Sequence, residues 1–218
     1  MIRVLIGDDH PVVREGLKRI LGGAPDMTVV ADVATSGEVL NRCAGGDVDV
    51  VLLDIGMPGP GFLETLLRLS AEPSQTRVLV LSVHPEDQYA VRAFRAGAAG
   101  YLTKDHAPAE LLMAVRRVAG GGRYVTPTMA EALAAVLKRG STGPPHEALS
   151  EREFQVLLGL VAGKGVKLIA SELGLSSKTV STYRSRVLKK LGLRCNVDLL
   201  RYALQHRLIP VAPGPEAL

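Results

Sequence analysis

The sequence predicts two domains of different class: an N-terminal α/β domain built as a doubly wound (βα)5 parallel sheet, and a C-terminal all-α domain of four helices with helix-turn-helix proportions. Three observations carry this. In residues 1–120 short apolar runs alternate with amphipathic stretches, whereas residues 149–210 hold helical patterns and no strand pattern. Between them, residues 140–145 read GSTGPP, with Gly and Ser for flexibility and paired Pro that cannot continue a helix. A length of 218 residues suits two small domains.

The elements follow in order. Strand-like runs occupy residues 2–6, 27–33, 48–53, 77–81 and 100–103, and helical stretches occupy 11–21, 37–44, 62–69, 86–96 and 108–119. Pro11 suits a first helical turn, where its missing N–H costs little, and Val13, Leu17, Ile20 and Leu21 form one apolar stripe. Ser36 is placed to cap the second helix. Right-handed crossovers then put helices on both faces of the sheet. Residues 121–148 read as a linker with a helical segment at 128–138. Beyond it, Ser150 and Glu153 form a capping box opening the apolar run 154–161. A short helix at 166–173 stops at Gly174, and Ser176 or Ser177 caps a longer one that reaches Leu191 before Gly192. The last helix spans 196–205, and residues 211–218 form a tail.

Composition narrows the function. No apolar run approaches the roughly 20 residues that span a bilayer, and the N-terminus has no signal-peptide pattern, so a soluble, cytoplasmic protein is expected. Cys43 and Cys195 are far apart with no ligand spacing, so reduced thiols are the default. The absence of an internal repeat excludes a solenoid. The formal charge of +4 conceals an asymmetry: residues 1–120 carry −3, residues 121–148 carry +1 and residues 149–218 carry +6. The basic half is suited to a polyanion. Its longer helix carries Lys178, Arg184, Arg186, Lys189 and Lys190 and no acid.

The sharpest signal lies at the ends of four strand-like runs, which lead into Asp8 and Asp9, Asp54, Ser82 and Lys104. In an open parallel sheet, groups outside the carboxyl ends of the strands share one crevice, so these residues predict one acidic site. Each has a plainer reading. Asp8 and Asp9 suit a helix cap, Asp54 a loop carboxylate, Ser82 a turn hydroxyl, Lys104 a solvated end and Tyr101 an edge-strand core residue. His10 and His84 have no partner at ligand spacing and read as structural or solvent-facing. The coincidence at four strand ends favours the site.

Taken together, Asp8-Asp9-His10, the run LDIGMP at 53–58, Ser82, the run GAAGYLTK at 97–104, LSERE at 149–153 and the stretch from Ser177 to Gly192 resemble the LuxR-type (NarL/FixJ) subfamily of two-component response regulators. That resemblance implies a receiver domain at 1–120 and a DNA-binding domain at 149–210. It implies that Asp54 accepts a phosphoryl group from a sensor histidine kinase, with Mg²⁺ held by Asp9, Asp54 and the Gly56 carbonyl, and by Asp8 through water. Lys104 would pair with a phosphoryl oxygen, Ser82 would bond another, and Tyr101 would follow by changing rotamer. On double-stranded promoter DNA, Lys178, Arg184, Lys189 and Lys190 would contact phosphates, Ser181, Thr182 and Ser185 would face bases, and Arg186 could face either way. A homodimer is expected through the last helix, where Val197, Arg201 and Leu204 are the outward candidates beside Leu200, or through the receiver.

Departures from the family pattern frame the alternatives. Phe62 stands where a glycine is usual after Met57-Pro58, and Gly56 has no side chain beside Asp54; Val166 and Leu168 replace a polar Asn and Glu, leaving Gly165 as a weaker N-cap, and Cys195 stands where a polar cap is frequent. The first two motivate an atypical receiver regulator that binds DNA independently of phosphorylation. A phosphatase with a nucleophilic Asp is disfavoured because it needs an acid two residues on, where Gly56 stands; a regulator rather than an enzyme is expected.

Overall fold

The computed structural model describes residues 1–71, 76–83, 86–105, 107–139, 144–206 and 208. The anticipated tail at 211–218, residues 140–143 of the linker and His84 lie outside the described residues. The chain forms two compact units, Met1–Lys138 and Arg139–Leu218.

In the first unit, β1 (Ile2–Gly7), β2 (Met27–Val33), β3 (Val50–Asp54), β4 (Arg77–Ser82) and β5 (Gly100–Thr103) make one parallel sheet in the order β2-β1-β3-β4-β5. Helices α1 (Pro11–Gly22), α2 (Ser36–Cys43), α3 (Phe62–Ala71), α4 (Glu86–Arg95) and α5 (Pro108–Ala119) join the strands. Because side chains alternate across a strand, the paired register divides the core in two. Ile6, Leu52, Leu79 and Leu81 face Leu17 and Leu21 of α1 and Leu111, Val115 and Val118 of α5. The intervening Leu5, Val51, Leu53, Val80 and Tyr101 are fully buried on the opposite face. There α2 packs on α3 and α3 on α4, with Phe62 edge-on to Tyr89 at 5.9 Å. Phe62, at the position where the family favours glycine, thus opens α3 as a core residue. The turn before it is made by Gly59, whose φ of +112° suits glycine alone.

One local expectation is corrected, and the plainer reading of Asp8 and Asp9 fails. Thr35, not Ser36, caps α2: its hydroxyl accepts from Glu38 N–H while the Glu38 carboxylate accepts from Thr35 N–H, and Ser36 is the first helical residue. Asp8 and Asp9 do not cap α1, whose N-cap is His10. The first unit also runs past residue 120. Tyr124 N–H donates to Ala99 O at 2.9 Å, Tyr124 bridges to Gly100 in parallel, and its ring joins the α1/α5 side of the core. Helix α6 (Pro127–Arg139) follows, with Met129 buried.

The second unit opens with a 3-10 turn, Pro145–Ala148, inside the stretch read as linker. His146 stacks on Phe154 and hydrogen-bonds the Tyr202 hydroxyl at 3.0 Å. Helices α7 (Glu151–Val161), α8 (Val166–Glu172), α9 (Ser177–Leu191) and α10 (Asn196–Gln205) enclose Phe154, Leu157, Ile169, Val180, Val187 and Leu199. The Ser150–Glu153 capping box forms, Ser176 caps α9, and Gly192 ends it with a φ of +68°. Gly165 and Cys195 precede α8 and α10 without side-chain caps. Both cysteines are free, and burial pushes the Cys43 thiol up to about 11.

Candidate functional site

Each acidic-site residue is delivered by the carboxyl end of a strand. The register pairs Gly7 with Leu53, Asp54 with Leu81 and Ser82 with Thr103, so the strands end nearly level. Asp8 and Lys104 directly follow β1 and β5. Lys104 Nζ lies 2.6 Å from Asp8 Oδ2 and 2.8 Å from Asp54 Oδ1, joining residues far apart in sequence. Asp8 and Asp54 are buried, as are Ser82 and Tyr101. Lys104 N–H also donates to Ser82 O at 2.7 Å, tying β4 and β5 together at the pocket edge.

Burial pushes the Asp54 carboxyl above its ordinary range, with the Asp8 charge adding to the effect and Lys104 opposing it. Burial also works against the Lys104 charge, but its bonds to Asp54 and Asp8 outweigh that and hold its pKa above the usual lysine value. Gly56 N–H donates to Asp54 Oδ2 at 3.1 Å. A Cβ on Gly56 would stand 3.2 Å from that same oxygen, so glycine leaves this side of the carboxylate open.

Asp9 is half-buried beside this pair. Its Oδ1 is buried and accepts no hydrogen bond, although His10 Nδ1 approaches to 2.7 Å outside hydrogen-bonding geometry. Ligand atoms of Asp8, Asp9, His10 and Asp54 all lie within 4.8 Å of one another. His10 is solvent-facing, as read from the sequence, yet it also borders the acidic cluster, 3.3 Å from Asp8 Oδ1. No sequence spacing signals this, because the proximity arises from the turn in which His10 N–H donates to Asp8 Oδ1 at 2.8 Å. Arg14 was also missed: it donates to Asp8 O at 2.7 Å and pairs with Asp32, fixing the backbone that presents Asp8.

The second candidate surface is α9. Val180, Val187 and Leu191 face inward, while Lys178, Ser181, Thr182, Ser185, Arg186 and Lys189 are exposed. Arg186 lies over the Tyr183 ring at 6.0 Å, and Arg184 Nε donates to Asn196 Oδ1 at 2.8 Å. Lys190 differs from the other cations. Its Nζ lies 2.7 Å from Glu153 Oε2, closing on the buried carboxylate of the α7 capping box. Burial would raise the Glu153 pKa, but Lys190 and Ser150 hold it below the usual glutamate range. On α10, Leu199 and Ala203 point inward, and Val197, Leu200, Arg201 and Leu204 are exposed.

Comparison with known proteins matches these two units to two families. Residues 4–116 fit the response regulator receiver domain and residues 147–203 the bacterial regulatory proteins of the luxR family. The response regulator UvrY of Escherichia coli (strain K12) is 38% identical over 209 residues, covering 95% of this chain and 96% of UvrY. The response regulator GacA of Pseudomonas protegens is 39% identical over 209 residues, covering 96% and 98%. Among solved structures, RcsB of Salmonella enterica serovar Typhimurium, bound to promoter rprA in the presence of the phosphomimetic BeF3-, is 25% identical with a TM-score of 0.59, covering 93% of this chain and 98% of that one. With a receiver sheet, a luxR-type helical domain and full-length similarity to such regulators, the chain belongs to the LuxR-type (NarL/FixJ) subfamily of two-component response regulators.

Proposed function

We propose that Asp54 is the phosphoacceptor of this regulator and that its phosphorylation controls promoter binding by α9. The observation that carries the reading is the meeting of Asp8, Asp54 and Lys104 in one buried pocket at the strand ends. A carboxylate approaching a phosphoryl group is repelled, so transfer rests on positioning and charge neutralisation. An Asp54 oxygen attacks the phosphorus of a sensor kinase phosphohistidine; the P–N bond breaks as the new P–O bond forms, and the electron pair returns to the imidazole. Lys104, already bonded to two carboxylates, keeps its protons and turns its ammonium to hydrogen-bond a phosphoryl oxygen, and Ser82 bonds another. Tyr101, fully buried on β5, follows by changing rotamer.

Asp8, Asp9 and Asp54 fit Mg²⁺, with the Gly56 carbonyl as a further ligand, because they form an oxygen-rich cluster in which one buried carboxylate oxygen has no hydrogen-bond donor. Bound there, the ion supplies the positive charge that lets anionic donor and acceptor approach. The complete set of acids and lysine favours this reading over phosphate-independent regulation.

The proposed domains are a receiver at 1–120, extended through Tyr124, a connecting region at 121–148 whose final turn packs with the second unit, and a DNA-binding domain at 149–210. Lys178, Arg184, Arg186 and Lys189 supply salt-dependent phosphate affinity, and Ser181, Thr182 and Ser185 face the bases. The Glu153 bond gives Lys190 a structural role. A homodimer through Val197, Leu200, Arg201 and Leu204 of α10, or through the receiver, would match a two-fold operator. No helix among the described residues is long and apolar enough to cross a membrane. A regulator that meets promoter DNA would act in the cytoplasm. Incubation with acetyl phosphate and Mg²⁺ tests the acceptor: wild type gains one phosphoryl mass and Asp54→Asn gains none, whereas an equal gain in the variant would move the acceptor elsewhere.

A further inference from the structure

The hydroxyls of the base-facing stripe are already committed as donors. Ser181 Oγ donates to Ser177 O at 2.9 Å, Thr182 Oγ1 to Lys178 O at 3.0 Å, and Ser185 Oγ to Ser181 O at 3.1 Å. All three side chains are exposed, and their spacing of one, three and four residues places them on one stretch of the α9 surface. A hydroxyl has one proton and two lone pairs, so each of these oxygens presents outward only its acceptor capacity. Donating to a base would first require breaking the carbonyl bond. Accepting from a base keeps that bond, and the donated proton polarises the oxygen toward a better acceptor.

The major groove supplies donors at only two kinds of atom, the exocyclic amines of adenine N6 and cytosine N4. Guanine N7 and O6 and thymine O4 are acceptors. We propose that Ser181, Thr182 and Ser185 select operator positions bearing an exocyclic amine, adenine or cytosine on the contacted strand, and leave guanine recognition to the cations. Of those, Arg184 is held by Asn196 Oδ1 at 2.8 Å, which leaves Lys178, Arg186 and Lys189 beside the stripe. This inference rests on the reading of α9 as the DNA-contacting helix.

The test uses the full-length protein with acetyl phosphate and Mg²⁺ to enrich duplexes from a random pool. The enriched duplex is then remade with purine for adenine, 2-pyrimidinone for cytosine, or 7-deazaguanine for guanine, one position at a time. Removing the amine at a contacted position should weaken wild-type binding about 2- to 12-fold, the range of one neutral hydrogen bond. That penalty should vanish in one of Ser181→Ala, Thr182→Val or Ser185→Ala, marking a specific pair. A 7-deazaguanine penalty that vanishes in a hydroxyl variant, or no coupling between any hydroxyl and any amine, would overturn the inference while leaving DNA binding by α9 intact. Enrichment of no duplex would overturn the reading of α9, and the inference with it.

Discussion

The pocket at the strand ends and the surface of α9 use charge in opposite ways. In the pocket, Asp8 and Asp54 are buried and share one lysine, so these three charges constrain one another before a ligand arrives. On α9, Lys178, Arg186 and Lys189 stand in solvent, where water screens them until a polyanion displaces its counterions. Lys190 lies on the same helix but follows the logic of the pocket, closing on the buried Glu153. The partner, more than residue type or the cation's own exposure, therefore separates the cations that hold the fold from those that act on a ligand.

Removing a pocket charge should have the largest effect on stability. Lys104→Met leaves Asp8 and Asp54 buried without their cation, and breaking such a pair costs about 3 kcal/mol. Urea unfolding at neutral pH should show this loss, and it should shrink in acid as Asp54 takes up a proton. A loss below about 0.5 kcal/mol would mean that water already screens the pocket. Next in size is the metal effect. Mg²⁺ at a hundredfold excess over its dissociation constant should stabilise the wild type by about 2.7 kcal/mol. Asp9→Ala should abolish the gain; equal shifts in both proteins would remove Asp9 from the ligand set.

The two regions should also respond to acid with opposite signs. Asp54 is raised by burial, so the folded state holds its proton more tightly than the unfolded chain does. Its contribution to stability therefore falls as pH rises from the ordinary aspartate value through the raised one. Glu153 is depressed by Lys190 and Ser150, so its contribution is complete above the ordinary glutamate value and is lost as pH falls through the depressed one. Hydrogen exchange followed separately in β3 and α7, corrected for intrinsic rates, should show Asp54→Asn removing the first dependence and Glu153→Gln the second. Matching slopes of one sign in both regions would break the comparison.

The smallest expected effects separate two lysines of α9. Lys178→Ala should leave folding stability within about 0.5 kcal/mol of wild type and lower the slope of log affinity against log salt by about 1. Lys190→Ala should do the reverse, leaving the slope nearly unchanged and destabilising the second unit. A full unit of slope lost in Lys190→Ala would return that residue to the DNA surface.

The fold and most of the pocket were legible because two periodicities are written directly into the chain. Apolar runs of strand length ending in Asp54, Ser82 and Lys104, with a parallel sheet to align their ends, placed residues far apart in sequence together. The helix stops were equally plain, since Gly192 and the Ser150–Glu153 box act within a few residues. The α2 cap was read one residue late, because Ser36 has the same chemistry as its neighbour Thr35, although Glu38 three residues on marks Thr35. What stayed hidden depends on three-dimensional neighbours with no fixed spacing: Arg14 on the Asp8 carbonyl, Lys190 on Glu153, and Tyr124 on the start of β5. The turn at Pro145–Ala148 was masked by its prolines, which suit both a linker and the first residues of a short helix.

The central claim is that the pocket governs the surface of α9, and a ligand can shift such an equilibrium only through differential affinity for two states. A titration of promoter-type duplex into wild type, Ser82→Ala and Asp54→Asn, each with and without acetyl phosphate and Mg²⁺, tests it most directly. The account predicts tighter binding by phosphorylated wild type, a reduced gain in Ser82→Ala despite phosphorylation, and no gain in Asp54→Asn. Equal affinity of wild type with and without the phosphodonor, at confirmed phosphorylation, would contradict it.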